Sequence, residues 1–321
     1  MKRIGWVDVA KGIGIILVIL GHMPTIPILI RLWIFSFHMP LFFFVSGYLY
    51  NVKDESISLN SLLKKKTRKI LKPYVIFSIL FVLLDYLVLN ISLDETKTRL
   101  IRFVFGQGGY DILWFFFSLF IAETLYCLIQ RYSKNKTLII VLLVTTGIIL
   151  SHYRVGQIWK ISTSMVALMF YSLGRCFRNK ELAIHITHSN IAFVASLILN
   201  LVICAFCISK CGYVIDMNNS KYAMGPISLL AAIAGIIVVY QISIIIDEWR
   251  VSTPLKFIGS YSLFFFPITG YAPNFIATYL SRYIPITSII KILAKIAGLA
   301  IAALVSYVYS NREKALSYRH D

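Results

Sequence analysis

Acidic residues are scarce in this chain: 14 Asp and Glu stand against 32 Lys and Arg in 321 residues, and all four types together make up only 14% of the composition. Such a low charge content excludes a disordered or ordinary soluble protein. Polar stretches are equally short, none exceeding about twenty residues, so no appended soluble domain is expected. Cysteine is too sparse for a disulfide framework. Cys127, Cys176, Cys204, Cys207 and Cys211 fall in or at the ends of apolar runs with no histidine at ligand spacing, so packing is expected and no metal. A Gly-rich phosphate loop is missing, which argues against ATP as a direct substrate.

What is abundant is apolar: 58% of residues are hydrophobic and the mean hydropathy is +0.77. Runs of bilayer-spanning length, roughly 17 to 25 residues, are predicted near 5–23, 29–50, 73–92, 111–130, 137–152, 158–177, 190–209, 225–246, 256–273 and 286–309. The expected fold is therefore all-α, a polytopic membrane bundle of about ten transmembrane helices forming one domain over 1–321. Lys2, Arg3, the run from Lys64 to Lys72, Arg131, Lys134, Lys136, Arg178, Lys180, Arg250, Lys256, Arg312, Lys314 and Arg319 then gather on one side. Positively charged loops stay in the cytoplasm, so both termini are expected there. The formal charge of +18 follows from this topology and from attraction to anionic membrane lipid, with no nucleic acid required. Asp8 and Lys11 interrupt the first apolar run and no small-x-small cleavage site follows, so that run reads as a retained helix rather than a secretory signal. Abundant isoleucine and lysine fit a low-GC bacterium, hence a bacterial plasma membrane.

The first fifty residues hold the chemistry-bearing pattern. Ionisable groups within hydrocarbon are costly unless paired or facing a cavity. Lys11 and His22, eleven apart, point within about 20° of each other and lie roughly 16 Å apart along a helix axis. Asp8 is one turn below Lys11 and can act as its counter-ion. Read outward, the face presents acid, base and imidazole. A lysine suits a phosphate or carbonyl, and histidine suits general acid–base work near neutral pH. The competing reading is a packing pair plus a histidine bonded to backbone. The second helix carries His38 beside Pro40, which frees a carbonyl one turn earlier and is expected to kink it into a pocket wall.

Trp6-Val7-Asp8-Val9-Ala10-Lys11-Gly12, Val18-Ile19-Leu20-Gly21-His22 and the block Phe37 to Tyr48 resemble the membrane acyltransferase-3 family, most of all its fucose 4-O-acetylase-like branch. The likeness continues in Lys64 to Tyr74 and in Leu113-Trp114-Phe115-Phe116 with Glu123, and more faintly in Phe170 to Arg175 and Phe257 to Leu263. It implies a ten-helix enzyme that moves an acyl group, usually acetyl from acetyl-CoA, onto a hydroxyl of lipopolysaccharide, capsule or another surface glycan. The family's basic residue and histidine, separated by ten positions, match Lys11 and His22. This chain departs from many members in having Lys11 where they have arginine, and Thr269 in a late helix where they have histidine.

The mechanism expected from these residues has acetyl-CoA entering from the cytoplasm, Lys11 with Asp8 holding the thioester end, and His22 taking the proton from the acceptor hydroxyl. His38 assists by hydrogen bonding or by stabilising the tetrahedral intermediate. An acyl-histidine relay is an equally open route. Glu123 is expected to meet a cation such as Lys160 or Arg175, either orienting His22 or His38 or forming half of a buried pair. Asp85 carries the same two readings. Arg175 contacts either CoA phosphates or lipid phosphate, and the Lys64 to Lys72 run either recruits an anionic cofactor or sets topology. No sugar-binding residue is assigned to the outer loop from Leu93 to Tyr110. The alternative function is an exporter or flippase of a polysaccharide precursor, which would favour internal repeats; no second copy of the first-helix pattern occurs.

Overall fold

The structure, a computed structural model, describes residues 4–106, 111–178 and 189–317. Lys2, Arg3, Gln107, Tyr110, Lys180 and Arg319 lie outside them. The described chain is helical almost throughout, and five segments are long and apolar enough to cross a membrane: Ile28–Tyr48, Leu59–Val88, Asn190–Cys211, Pro226–Asp247 and Ser288–Arg312.

Helix α1 (Gly5–Gly21) opens the bundle. The second apolar run is two helices, α2 (Ile28–Phe35) and α3 (His38–Tyr48). The break falls at Ser36 and Phe37, one turn before Pro40, whose missing N–H is tolerated in the first turn of α3. Trp6 and Tyr48 meet edge to face at 4.7 Å while His22 and Phe35 meet at 5.3 Å, so α3 runs antiparallel to α1. Helix α4 (Leu59–Lys66) passes through a π turn at Thr67–Leu71 into α5 (Lys72–Val88).

The segment after α5, expected as a loop, is instead α6 (Leu93–Val104). Its start follows from sequence chemistry: the Ser92 hydroxyl accepts the Glu95 amide at 3.1 Å, acidic residues occupy the first turn and Arg102 the last. α7 (Trp114–Tyr132), α8 (Lys136–His152), α9 (Ile161–Arg178) and α10 (Asn190–Cys211) follow. A two-stranded hairpin, β1 (Ile215–Asp216) and β2 (Lys221–Tyr222), pairs Ile215 with Tyr222 and leads into α11 (Pro226–Asp247). The chain closes with α12 (Ser252–Ser260), α13 (Ser262–Leu280) and α14 (Ser288–Ser317).

Two reciprocal glycine crossings set the centre. Gly12 of α1 lies against the Leu255 carbonyl of α12, and Gly259 of α12 against the Asp8 carbonyl. Gly47 of α3 meets the Tyr171 carbonyl of α9, and Gly174 of α9 the Phe44 carbonyl. At each, a methyl group would overlap a backbone oxygen, which cannot move aside as a flexible side chain does. Buried aromatics fill the space between the helices, with Phe42, Phe115 and Phe266 in mutual contact at 5.4 to 6.2 Å.

Gly47→Leu is therefore expected to lower stability by about 1–3 kcal/mol through overpacking, read as a lower melting temperature of the detergent-solubilised protein. Leu199→Ala, on an outward face, changes it by less than about 0.5 kcal/mol.

Candidate active site

At the end of α1 the helices part around a cavity of about 1110 Å³. His22 and His38 line it, together with Trp114, Thr269, Tyr271 and Lys295. His22 sits just past the last turn of α1 and is accessible from the cavity. The two histidines flank one ring: Phe35 lies 5.3 Å from His22 and 5.1 Å from His38.

The helix break fixes the chemistry of His38. Interrupting the ladder leaves the Ile34 carbonyl with the Phe37 amide at 3.3 Å, and the His38 Nδ1 lies 2.9 Å from the same oxygen. A carbonyl can only accept, so Nδ1 carries the proton and neutral His38 presents an acceptor at Nε2. The break itself is clasped from outside. The Trp33 indole donates to Asn200 Oδ1 at 2.6 Å, and Asn200 Nδ2 donates to the Ala231 carbonyl at 2.8 Å, tying α2 to α10 and α11.

A charged network forms the opposite wall. Asp85 pairs with Arg99 and accepts the Tyr271 hydroxyl at 2.7 Å, while Arg99 reaches Glu95 at 2.6 Å. The Tyr271 ring stacks on Phe81 at 3.8 Å. The third side is the hairpin loop, where Asp216 accepts from the Asn219 amide at 3.1 Å and side chain at 2.7 Å. Thr269 faces this cavity as well, its hydroxyl bonded to the Phe265 carbonyl at 2.6 Å.

Of the residues singled out in the sequence, the cavity gathers His22, His38, Asp85 and Thr269 and leaves out Asp8, Lys11, Glu123 and Arg175. Asp8 and Lys11 do pair, at 3.5 Å, but nearer the other end of α1. Lys11 therefore stands apart from the two histidines, and the three do not meet at one point. Lys11 and His22 are separated by roughly 16 Å of helix. Between them the Phe42 ring covers Gly14.

Glu123 is half of a buried pair, the second of its two readings, but with a different cation from those expected. It meets neither Lys160, which donates to the Asn218 carbonyl at 2.6 Å, nor a histidine. Its carboxylate pairs with buried Lys66 from α4 and with Lys69 at 3.7 Å, and Lys66 also reaches Asp54 at 2.7 Å. Arg175, half-buried in the last turn of α9, stands near Tyr126. Neighbouring Arg178 donates to the Tyr48 and Tyr50 carbonyls at 3.1 and 3.0 Å, closing the end of α3. Beside the Lys66 cluster a shallow hollow is lined by Ser61, Lys64, Lys65, Arg68 and Lys69, a set suited to an anion.

Sequence reasoning missed Lys295 and the partners of Asp85, Arg99 and Tyr271. Lys295 had a signal, a lysine well inside the apolar span 286–309. The wall joins α5, α6 and α13 across long sequence separations and had no local signal.

A family model described as an acyltransferase domain matches residues 4–311 of this chain. Among curated proteins none matches it.

Lys66→Met removes the buried cation shared by Asp54 and Glu123 and leaves them only the exposed Lys65 and Lys69. It is expected to cost about 3–5 kcal/mol, seen as a large fall in melting temperature in detergent. Lys69→Met removes a side chain that is 60% exposed on the same Glu123, and is expected to cost less than about 1 kcal/mol.

Proposed function

The chain belongs to the acyltransferase-3 family whose model spans it, and from that premise we propose that it transfers acetyl from cytoplasmic acetyl-CoA to a hydroxyl of a surface or capsular polysaccharide, or of its lipid-linked precursor, with His22 as general base. It is a membrane protein and an acyltransferase. The further reading has ten crossings, both termini in the cytoplasm and the cavity facing the outer side of a bacterial plasma membrane. The observation that carries it is the pair of histidines at the wall of one cavity, flanking Phe35.

His22 takes the proton as the acceptor oxygen attacks the thioester carbonyl carbon. The tetrahedral intermediate collapses with loss of the CoA thiolate, which recovers that proton from the imidazolium, giving an ester and free CoA. His38, held with Nδ1 on the Ile34 carbonyl, accepts at Nε2 and so orients a hydroxyl. In that tautomer it is not a donor to the oxyanion. The hollow at Lys64, Lys65, Arg68 and Lys69 suits CoA phosphates at the opposite end, and Lys11, paired with Asp8, is left to orient the thioester end of the donor on its way to the cavity.

His22→Ala is expected to lower acyl transfer from labelled acetyl-CoA by about 10² to 10⁴ in membranes carrying matched amounts of protein. Unchanged transfer would overturn the assignment of the base.

A further inference from the structure

Three lysines are buried among the described residues. Lys66 has two carboxylates and Lys160 has the Asn218 carbonyl. Lys295 differs: it is 9% exposed, it lines the cavity from α14, and it makes no hydrogen bond or ion pair with another described residue. The carboxylates of the cavity are engaged elsewhere, Asp85 and Glu95 with Arg99 and Asp216 with Asn219. An ammonium held inside an apolar span without a counter-charge is costly. Lys295 and Arg31 also act on His22 electrostatically, with Asp216 acting in the opposite sense.

We propose that Lys295 anchors an anionic acceptor: the molecule whose hydroxyl meets His22 carries a carboxylate or a phosphate that completes the missing ion pair. This rests on the reading of the cavity as the acceptor site. The anion is assigned to the acceptor rather than the donor because the basic hollow suited to CoA phosphates belongs to α4 and the π turn, beside the Lys66 cluster, whereas Lys295 opens onto the histidine cavity. Two sources share this chemistry, an acidic sugar and the phosphate of a lipid carrier. A neutral sugar on a neutral carrier would leave the ammonium bare.

The test is binding to the full chain in nanodiscs of zwitterionic lipid, using glucuronate, its methyl ester, farnesyl phosphate, farnesol and coenzyme A as probes, for wild type, Lys295→Met and Lys295→Arg. At least one of the two acidic probes is expected to bind about 10-fold more weakly to Lys295→Met and to recover in Lys295→Arg, while its neutral counterpart is indifferent to the substitution. Dependence with glucuronate alone assigns a sugar acid, and with farnesyl phosphate alone a carrier phosphate. Either supports the anchor. No dependence with either probe, or dependence with coenzyme A alone, overturns it. Should Lys295→Met fail to fold, wild type must still prefer an acidic probe over its neutral counterpart, and equal binding overturns the proposal. Because binding is read without transfer, its failure leaves His22 catalysis standing, and unchanged transfer by His22→Ala leaves the anion site standing.

Discussion

Within hydrocarbon a backbone group has no water to turn to, so an interrupted helix survives only where neighbours satisfy what the interruption frees. The break at Ser36 and Phe37 meets that condition from both sides. On one side the Ile34 carbonyl takes the His38 ring; on the other the Trp33 carbonyl takes the Ser36 hydroxyl at 2.7 Å, while Asn200 holds the Trp33 indole to α11. The same bonds that make the break tolerable choose the tautomer of His38 and turn α2 so that Phe35 reaches His22. The site is thus a consequence of how one discontinuity is satisfied.

Helix α1 links two regions of different character. Toward its start, the reciprocal contact of Gly12 and Gly259 lets α12 approach to backbone distance, and Asp8 and Lys11 neutralise each other. Toward its end lie the cavity and the histidines. The aromatic layer of Phe42, Phe115 and Phe266 stands between, with Phe42 on Gly14. The buried cluster of Asp54, Lys66 and Glu123 is a mutually compensated ion group that joins α4 to α7, and its compensation distinguishes it from Lys295. Buried charge holds the structure together where every partner is a protein residue, and points to a ligand where one partner is missing.

Much of this was legible in the sequence. Apolar runs marked the helices, and the polar interruptions of the first fifty residues led to His22 and His38, because charge and imidazole inside hydrocarbon need a reason. The pattern placed Lys11 and His22 along one helix but not their separate surroundings, since those depend on which distant rings lie against α1. Glu123 was recognised as needing a cation, yet the cation came from Lys66, in a run that read as surface charge. Ser92 and Glu95 held a capping signature that would have turned the expected loop into α6. A kink at Pro40 was expected; that it becomes a full break at Ser36 and Phe37 was beyond reach, because the break is held by Asn200, more than 160 residues away in sequence.

The central claim is that the acyl carbon and the acceptor hydroxyl meet at His22. A structure of the full-length protein with a non-hydrolysable thioether analogue of acetyl-CoA tests it most directly. The account predicts the analogue's carbonyl carbon in the cavity, with room for an acceptor oxygen about 3–3.5 Å from it and within hydrogen-bond reach of the His22 ring. An acyl end resting against Lys11 and Asp8, with the Phe42 layer closed between it and His22, would contradict the account.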